Sequence, residues 1–333
     1  MKKIQKIKWR TPIETLFLLL LGAILSTGCV KRELEYHLAG DNVVITLNWD
    51  SDPHPQTVRF LFYDQAGALF QEHTGLSDGY KGTLPAGTYR LVVHNEDAKQ
   101  VDYRGMERYE TAEVFALNTD YTLPGFRERE IPCILEPQAV YGTGSCQEFE
   151  TIKVHRDKLT SATVKPERLT RQVVFHFTVS SHEDVRSLTG VLNGVAPGIF
   201  IASKEENADH ACAMEFTAVT ISPQRSSALS KASSSAIDHN FAVHLNVFNL
   251  LSTETSPDGT NTISIVITLT DGRAFPLEID LTPTLRDIIH ENGGSIPIEI
   301  ALDVKLVVDP ESVNISSTVE EWKNGAGSDT EVD

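Results

Sequence analysis

The sequence predicts an all-β protein built as two tandem β-sandwiches, with one short helix in the second. Three observations predict it. Apolar side chains recur at every second residue in many short segments, the period of a strand with one buried face. Turn dipeptides such as Asn193-Gly194, Pro197-Gly198 and Asp271-Gly272 punctuate those segments. Only the stretch from Thr282 to Gly293 carries helix start and stop signals.

The first thirty residues are of another kind. Lys2, Lys3, Lys6, Lys8 and Arg10 lead into an apolar run from Leu16 to Leu25, and the small residues Ser26, Thr27 and Gly28 follow. A basic lead, a short apolar run and a small-residue cleavage site describe a secretory signal peptide over residues 1–28. The run has about half the twenty residues that a helix needs to span a bilayer. Cys29 comes directly after the small residues, an arrangement that resembles a bacterial lipobox. Ser26 stands where that motif usually has an aliphatic residue, with Leu25 one step further back. The expected mature protein begins at a diacylglyceryl Cys29, tethered to a membrane through residues 29–41. Each buried CH₂ of acyl chain contributes about 0.8 kcal/mol to such an anchor.

Charge narrows the partners. The chain carries 29 Lys and Arg against 46 Asp and Glu, a net charge of −17. Removing residues 1–28 takes away five basic residues and one acid, which leaves −21. Such a body repels nucleic acid and anionic headgroups, so no nucleic-acid partner is expected and membrane contact is left to the lipid. Three cysteines remain beyond Cys29. Cys133 and Cys146 flank a turn-rich segment, and in an oxidising compartment they form a possible disulfide; Cys212 is expected to be a small buried side chain.

The first sandwich is expected over residues 42–160. Val43, Ile45, Leu47 and Trp49 alternate with Val44, Thr46 and Asn48; Val58, Phe60 and Phe62 follow, then Tyr89, Leu91 and Val93 after the turn Leu84 to Thr88. Thr111 to Leu117 is a weaker strand, Thr151 to Val154 a last one, and Arg156 to Pro166 a charged joint. The second sandwich is expected over residues 161–322. Val173, Phe175, Phe177 and Val179 line its clearest strand. Phe241 to Val247, Ile263 to Leu269 and Ala274 to Leu281 follow, the last two joined through Asp271-Gly272 as a hairpin. Thr282 can cap the helix, with Pro283 at its first position and Leu285, Ile288 and Ile289 as the apolar stripe. Ile298 to Leu306 and Val313 to Trp322 are the closing strands, and residues 323–333 form a polar tail expected to lack order.

Catalytic patterns are lacking: there is no GxSxG, HExxH, phosphate loop or Cys/His metal spacing, so no catalytic, cofactor or metal site is expected. His176 and His244 sit mid-strand opposite the apolar faces, where two imidazoles would meet only if their strands were neighbours; they are expected to face solvent. Trp49, Tyr63, Phe70, Tyr80 and Tyr89 invite comparison with a sugar-stacking platform, but alternation places Trp49 and Tyr89 in the core.

Several segments together resemble a known family. Cys29 to Leu34, Val43 to Asp50, Leu84 to Tyr89 running into His94-Asn95-Glu96, Leu169 to Phe177 and Leu188 to Leu192 are similar to Bacteroidales lipoproteins of the fimbrial anchor-like (FimB/Mfa-like, fimbrillin-associated) group. The resemblance implies two transthyretin-like β-sandwiches on an outer-membrane lipid anchor, partnered by fimbrial (pilin) subunits that join through strand donation. Its one transferable site is the lipidated Cys29, and its donor-strand candidate is Val313 to Trp322. The competing reading is a glycan-binding surface lipoprotein of a polysaccharide-uptake system, which needs an exposed aromatic platform.

Overall fold

The computed structural model describes residues 41–50, 54–123, 126, 130–143, 151–221, 237–251, 260–292, 296–309 and 314–321. Cys29, Cys146, the expected leader and the expected tail lie outside them.

In chain order the first half holds β1 (Val43–Leu47), β2 (Thr57–Tyr63), β3 (Leu69–Leu76), β4 (Gly79–Gly82), β5 (Gly87–Asn95), β6 (Val101–Arg104), β7 (Glu113–Ala116), β8 (Asn118–Thr119), β9 (Cys133–Ile134), β10 (Tyr141–Gly142), β11 (Ile152–Val154) and β12 (Thr160–Val164). The second half holds β13 (Glu167–Arg168), β14 (Arg171–Ser181), β15 (Val185–Val195), β16 (Gly198–Phe200), β17 (Cys212–Thr217), β18 (Val219–Thr220), β19 (Ile237–Val247), β20 (Thr262–Leu269), β21 (Ala274–Asp280), helix α1 (Thr282–Glu291), β22 (Glu299–Asp309) and β23 (Asn314–Glu321). The protein is all-β as expected, with α1 the single α-helix among the described residues.

Two sheets enclose the first core. The order β12–β1–β4 faces the order β13–β10–β5–β2–β3, with β11 also pairing β5. Val43, Ile45 and Leu47 meet Val58, Phe60, Phe62, Leu91 and Val93 between them. β2 does not stop there. Its other face carries Leu61 and Tyr63, which join the second core. A strand buried on both faces needs no polar alternation, which is why Phe60 to Tyr63 is unbroken apolar sequence.

The second core lies between the order β18–β19–β14–β22–β23 and the order β21–β20–β15–β17–β9–β8. Phe175 and Phe177 stack with ring centroids 5.9 Å apart, and Phe177 stacks on Phe216 across the core. β14 pairs antiparallel with β19 and parallel with β22, so two strands far along the chain flank it. A fifth sheet, β16–β7–β6, ties the halves: Ile199 pairs with Val114.

Three expectations change. The joint at 156–166 contains strand β12, which pairs parallel with β1 from Val43↔Thr160 to Leu47↔Val164. Its small Thr and Ser residues hide the strand from a hydrophobic pattern. Asn193-Gly194 is no turn; it lies inside β15, where the register with β17 slips between Asn193 and Val195. Gly194 takes φ +83°, so the residue chemistry that marks a turn here serves a β-bulge. Thr282 opens α1 but its hydroxyl does not cap it; Leu281 holds the cap position, and the Thr282 hydroxyl accepts a bond from the Asn261 amide at 3.2 Å. The apolar stripe is as expected: Leu285, Ile288 and Ile289 are buried.

Candidate functional site: the open strand edges

A sheet edge offers unpaired N–H and C=O groups to any extended partner, and its side chains decide whether that is tolerated. The edge strand β21 carries Pro276, which has no N–H to offer an incoming strand. β3 has no such guard. It pairs with β2 from Thr57↔Leu76 to Tyr63↔Leu69, and among the described residues no strand takes its other side. Phe70 is 49% exposed and Leu76 68% exposed. Inside the strand the side chains are tied locally. Gln71 donates to the Tyr80 hydroxyl at 3.3 Å, and His73 meets the Tyr80 ring edge-on at 5.2 Å. Burial pushes the Tyr80 phenol up, against the bond from Gln71.

β23 forms the other long edge. Eight residues run in register with β22, from Asp309↔Asn314 to Leu302↔Glu321. The expected donor segment is therefore seated, over its described part, as the closing strand of its own sheet. Ser316, Ser317 and Thr318 are exposed, and the partly buried Val319 packs against the core.

The aromatic residues do not form a platform. Tyr89 is buried, as expected, and its hydroxyl donates to the Pro85 carbonyl at 3.0 Å. Trp49 is half-buried against the first core rather than fully inside it. Its indole donates to the Ser77 carbonyl at 2.8 Å, His54 stacks on it and Tyr141 meets it edge-on, so its ring is occupied from within. Phe70 leans on Tyr89, with centroids 5.3 Å apart.

The strands of His176 and His244 are neighbours after all. His176 pairs with Ala242 and His244 with Val174, which puts both rings diagonally on one face. No group of three metal-ligating side chains forms among the described residues. Cys133 and Cys212 are buried and form no disulfide among the described residues; Cys146, the expected partner of Cys133, lies outside them. Burial pushes the Cys212 thiol up to about 11.

Sequence reasoning missed the polar tie between the halves. Glu113 on β7 is buried, and its carboxylate accepts two bonds from Arg104 on β6 and one from the Asn207 side chain at 2.9 Å. Ninety-four positions separate Glu113 from Asn207, so no local spacing could signal the contact.

Comparison with known proteins follows from this geometry. A family model described as a domain of unknown function, DUF5119, matches residues 28–217. Over 108 residues the chain is 37% identical to the candidate fimbrium anchoring subunit Fim4B of Bacteroides ovatus. That match covers 31% of this chain and 32% of the relative, so the chain spans about a third of that protein's length in the comparison. It bears out the resemblance to fimbrial anchor-like proteins. Among solved structures, a candidate adhesin of Bacteroides ovatus aligns with a TM-score of 0.56 at 19% identity, over 78% of this chain and 89% of that one. A candidate adhesin of Bacteroides thetaiotaomicron aligns with a TM-score of 0.52 at 12% identity, over 85% and 97%. At these identities the likeness is one of fold.

Proposed function

We propose that this chain, which belongs to the DUF5119 family, is a non-enzymatic, fimbrium-associated surface lipoprotein that anchors or joins pilin subunits. The observation that carries the reading is the 37% identity to a fimbrium anchoring subunit. The lipobox-like Ser26-Thr27-Gly28-Cys29 supports a lipid tether on the outer membrane, and the acidic body supports a protein held off the anionic surface. The unguarded edge of β3 supports joining by strand addition. A partner strand there would satisfy the free backbone groups and cover Phe70 and Leu76.

The test is surface retention of the polymer. Cells carrying Cys29→Ala are expected to shed fimbriae into the medium, while wild-type cells hold them and co-purify them with this chain. Fimbriae that stay on Cys29→Ala cells at wild-type levels would end the anchor reading. Retention of fimbriae with a Leu76→Lys variant, properly lipidated, would end the reading of β3 as the joining edge.

A further inference from the structure

The sheet β21–β20–β15–β17–β9–β8 has an outer face turned away from the core, and a groove of about 780 Å³ lies along it. That volume falls within the range of small-ligand sites, roughly 300–1,000 Å³. Three adjacent strands supply one side: Asn193 on β15, Thr262 on β20 and Glu278 on β21. Ile131, Pro132 and His210 line the remainder. The polar side is ordered before any ligand arrives. The Asn193 amide donates to the Thr262 hydroxyl at 2.7 Å, and the Ser264 hydroxyl donates to Glu278 at 3.0 Å. Asn193 and Ser264 are each only 4% exposed.

The chemistry of the groove selects a ligand class. The Asn193 carboxamide and the Thr262 hydroxyl stand side by side at strand spacing, about 4.8 Å, and the Glu278 carboxylate lies on the diagonal, opposite Ser264 on the next strand; each can hydrogen-bond a hydroxyl. Two acids, Glu130 and Glu278, line it, and among the described residues no Lys or Arg does. Phosphate, sulfate and uronate groups are therefore repelled. The apolar part is a shallow rim, with Ile131 39% exposed beside Pro132, rather than a set of deep side-chain pockets. A polar edge opposite a flat apolar rim matches the hydroxyl edge and C–H face of a sugar ring better than it matches a peptide. We infer that this groove binds a neutral or amino-substituted saccharide. The site is distinct from Trp49 and Tyr89, and it stands or falls apart from the anchoring role.

An array of neutral, amino-substituted, sulfated and uronate oligosaccharides, probed with the full mature chain, tests the assignment. Binding to at least one neutral or amino-substituted oligosaccharide is expected. Titration of that oligosaccharide should show Glu278→Gln and His210→Ala each weakening affinity about tenfold, the size of one hydrogen bond to a charged group. Glu72→Gln on β3 should leave it unchanged, and thermal melts of all three variants should match wild type. Absence of any saccharide binding, preference for the anionic sugars, or wild-type affinity in both groove variants would overturn it. Binding of hexa-lysine that is lost in Glu278→Gln, with no sugar bound, would overturn it in favour of a basic protein segment.

Discussion

Arg104 and Glu113 face each other across adjacent strands as a two-point pair, Nε to Oε2 at 2.7 Å and Nη2 to Oε1 at 2.9 Å. The carboxylate side chain is 5% exposed, whereas the guanidinium is 53% exposed and lies over the Phe115 ring. The acid is thus the sequestered partner, and Asn207 supplies its third bond from the other half of the chain.

Removing the acid should loosen that tie. Glu113→Ala is expected to cost about 2 kcal/mol, the scale of hydrogen bonds to a charged group, because Asn207 is left buried without this acceptor. Arg104→Lys should cost less than Glu113→Ala but more than nothing, since an ammonium cannot reproduce the two parallel bonds. Urea melts of the three proteins check the order.

His94 gives the protein an acid-sensitive core. It is fully buried, its Nδ1 lies 3.0 Å from the Asn95 carbonyl, and its Nε2 has no hydrogen-bond partner among the described residues. Burial lowers its pKa from 6.5 to about 4. The unfolded chain therefore binds the proton more readily between those values. Its contribution is fully present above about pH 6.5 and is lost as pH falls toward 4, by roughly 3 kcal/mol at most. His94→Phe keeps the ring against Tyr103, 4.2 Å away, and should flatten the stability profile in that window. Melts at pH 7, 5.5 and 4.5 for both proteins read the difference.

Gly194 is needed where it is. At φ +83° an L side chain is strained, and a Cβ would come within 2.6 Å of the Asn261 side-chain oxygen and 2.8 Å of the Thr260 carbonyl. Gly194→Ala is expected to lose about 2 kcal/mol through strain and displacement of the bulge. Gly272→Ala makes the control, because its φ of +92° is equally demanding yet nothing lies within 4 Å of its Cβ. The excess loss at Gly194 over Gly272 measures the clash alone.

Cys212 should be chemically silent in the folded state. Its thiol is buried and shifted up to about 11, so little thiolate exists at pH 8. Iodoacetamide at pH 8 is expected to leave it unmodified until denaturant is added, with modification read by peptide mass.

The strands whose side chains see one core and one solvent face were legible in the sequence. Val173 to Val179, Phe241 to Val247 and Ile263 to Leu269 show the period-two pattern because each lines a single buried face. β3 was illegible for the opposite reason. Gln71 to Gly75 sits at an edge with neither face fully covered, so no apolar alternation is imposed on it. β12 was hidden by small polar residues and by a partner more than a hundred positions away, Val43 against Thr160. Asn193-Gly194 misled because a bulge and a tight turn ask for the same positive φ. Of the candidate site, the chemistry of Glu278 and Asn193 was invisible to motif search. Their juxtaposition comes from sheet order, β15 beside β20 beside β21, and from no spacing along the chain.

The placement of β14 between β19 and β22 has a consequence for biogenesis. Gln172 finds its partner Glu299 only after the intervening chain has been made. A nascent polypeptide halted anywhere before residue 299 presents Phe175 and Phe177 on a bare strand flank, a sticky species that cannot mature. Contacts of such long reach also fold slowly. Synthesis must pass residue 307 before the second half can close, so a nonsense codon ahead of that point destroys the whole half rather than trimming it.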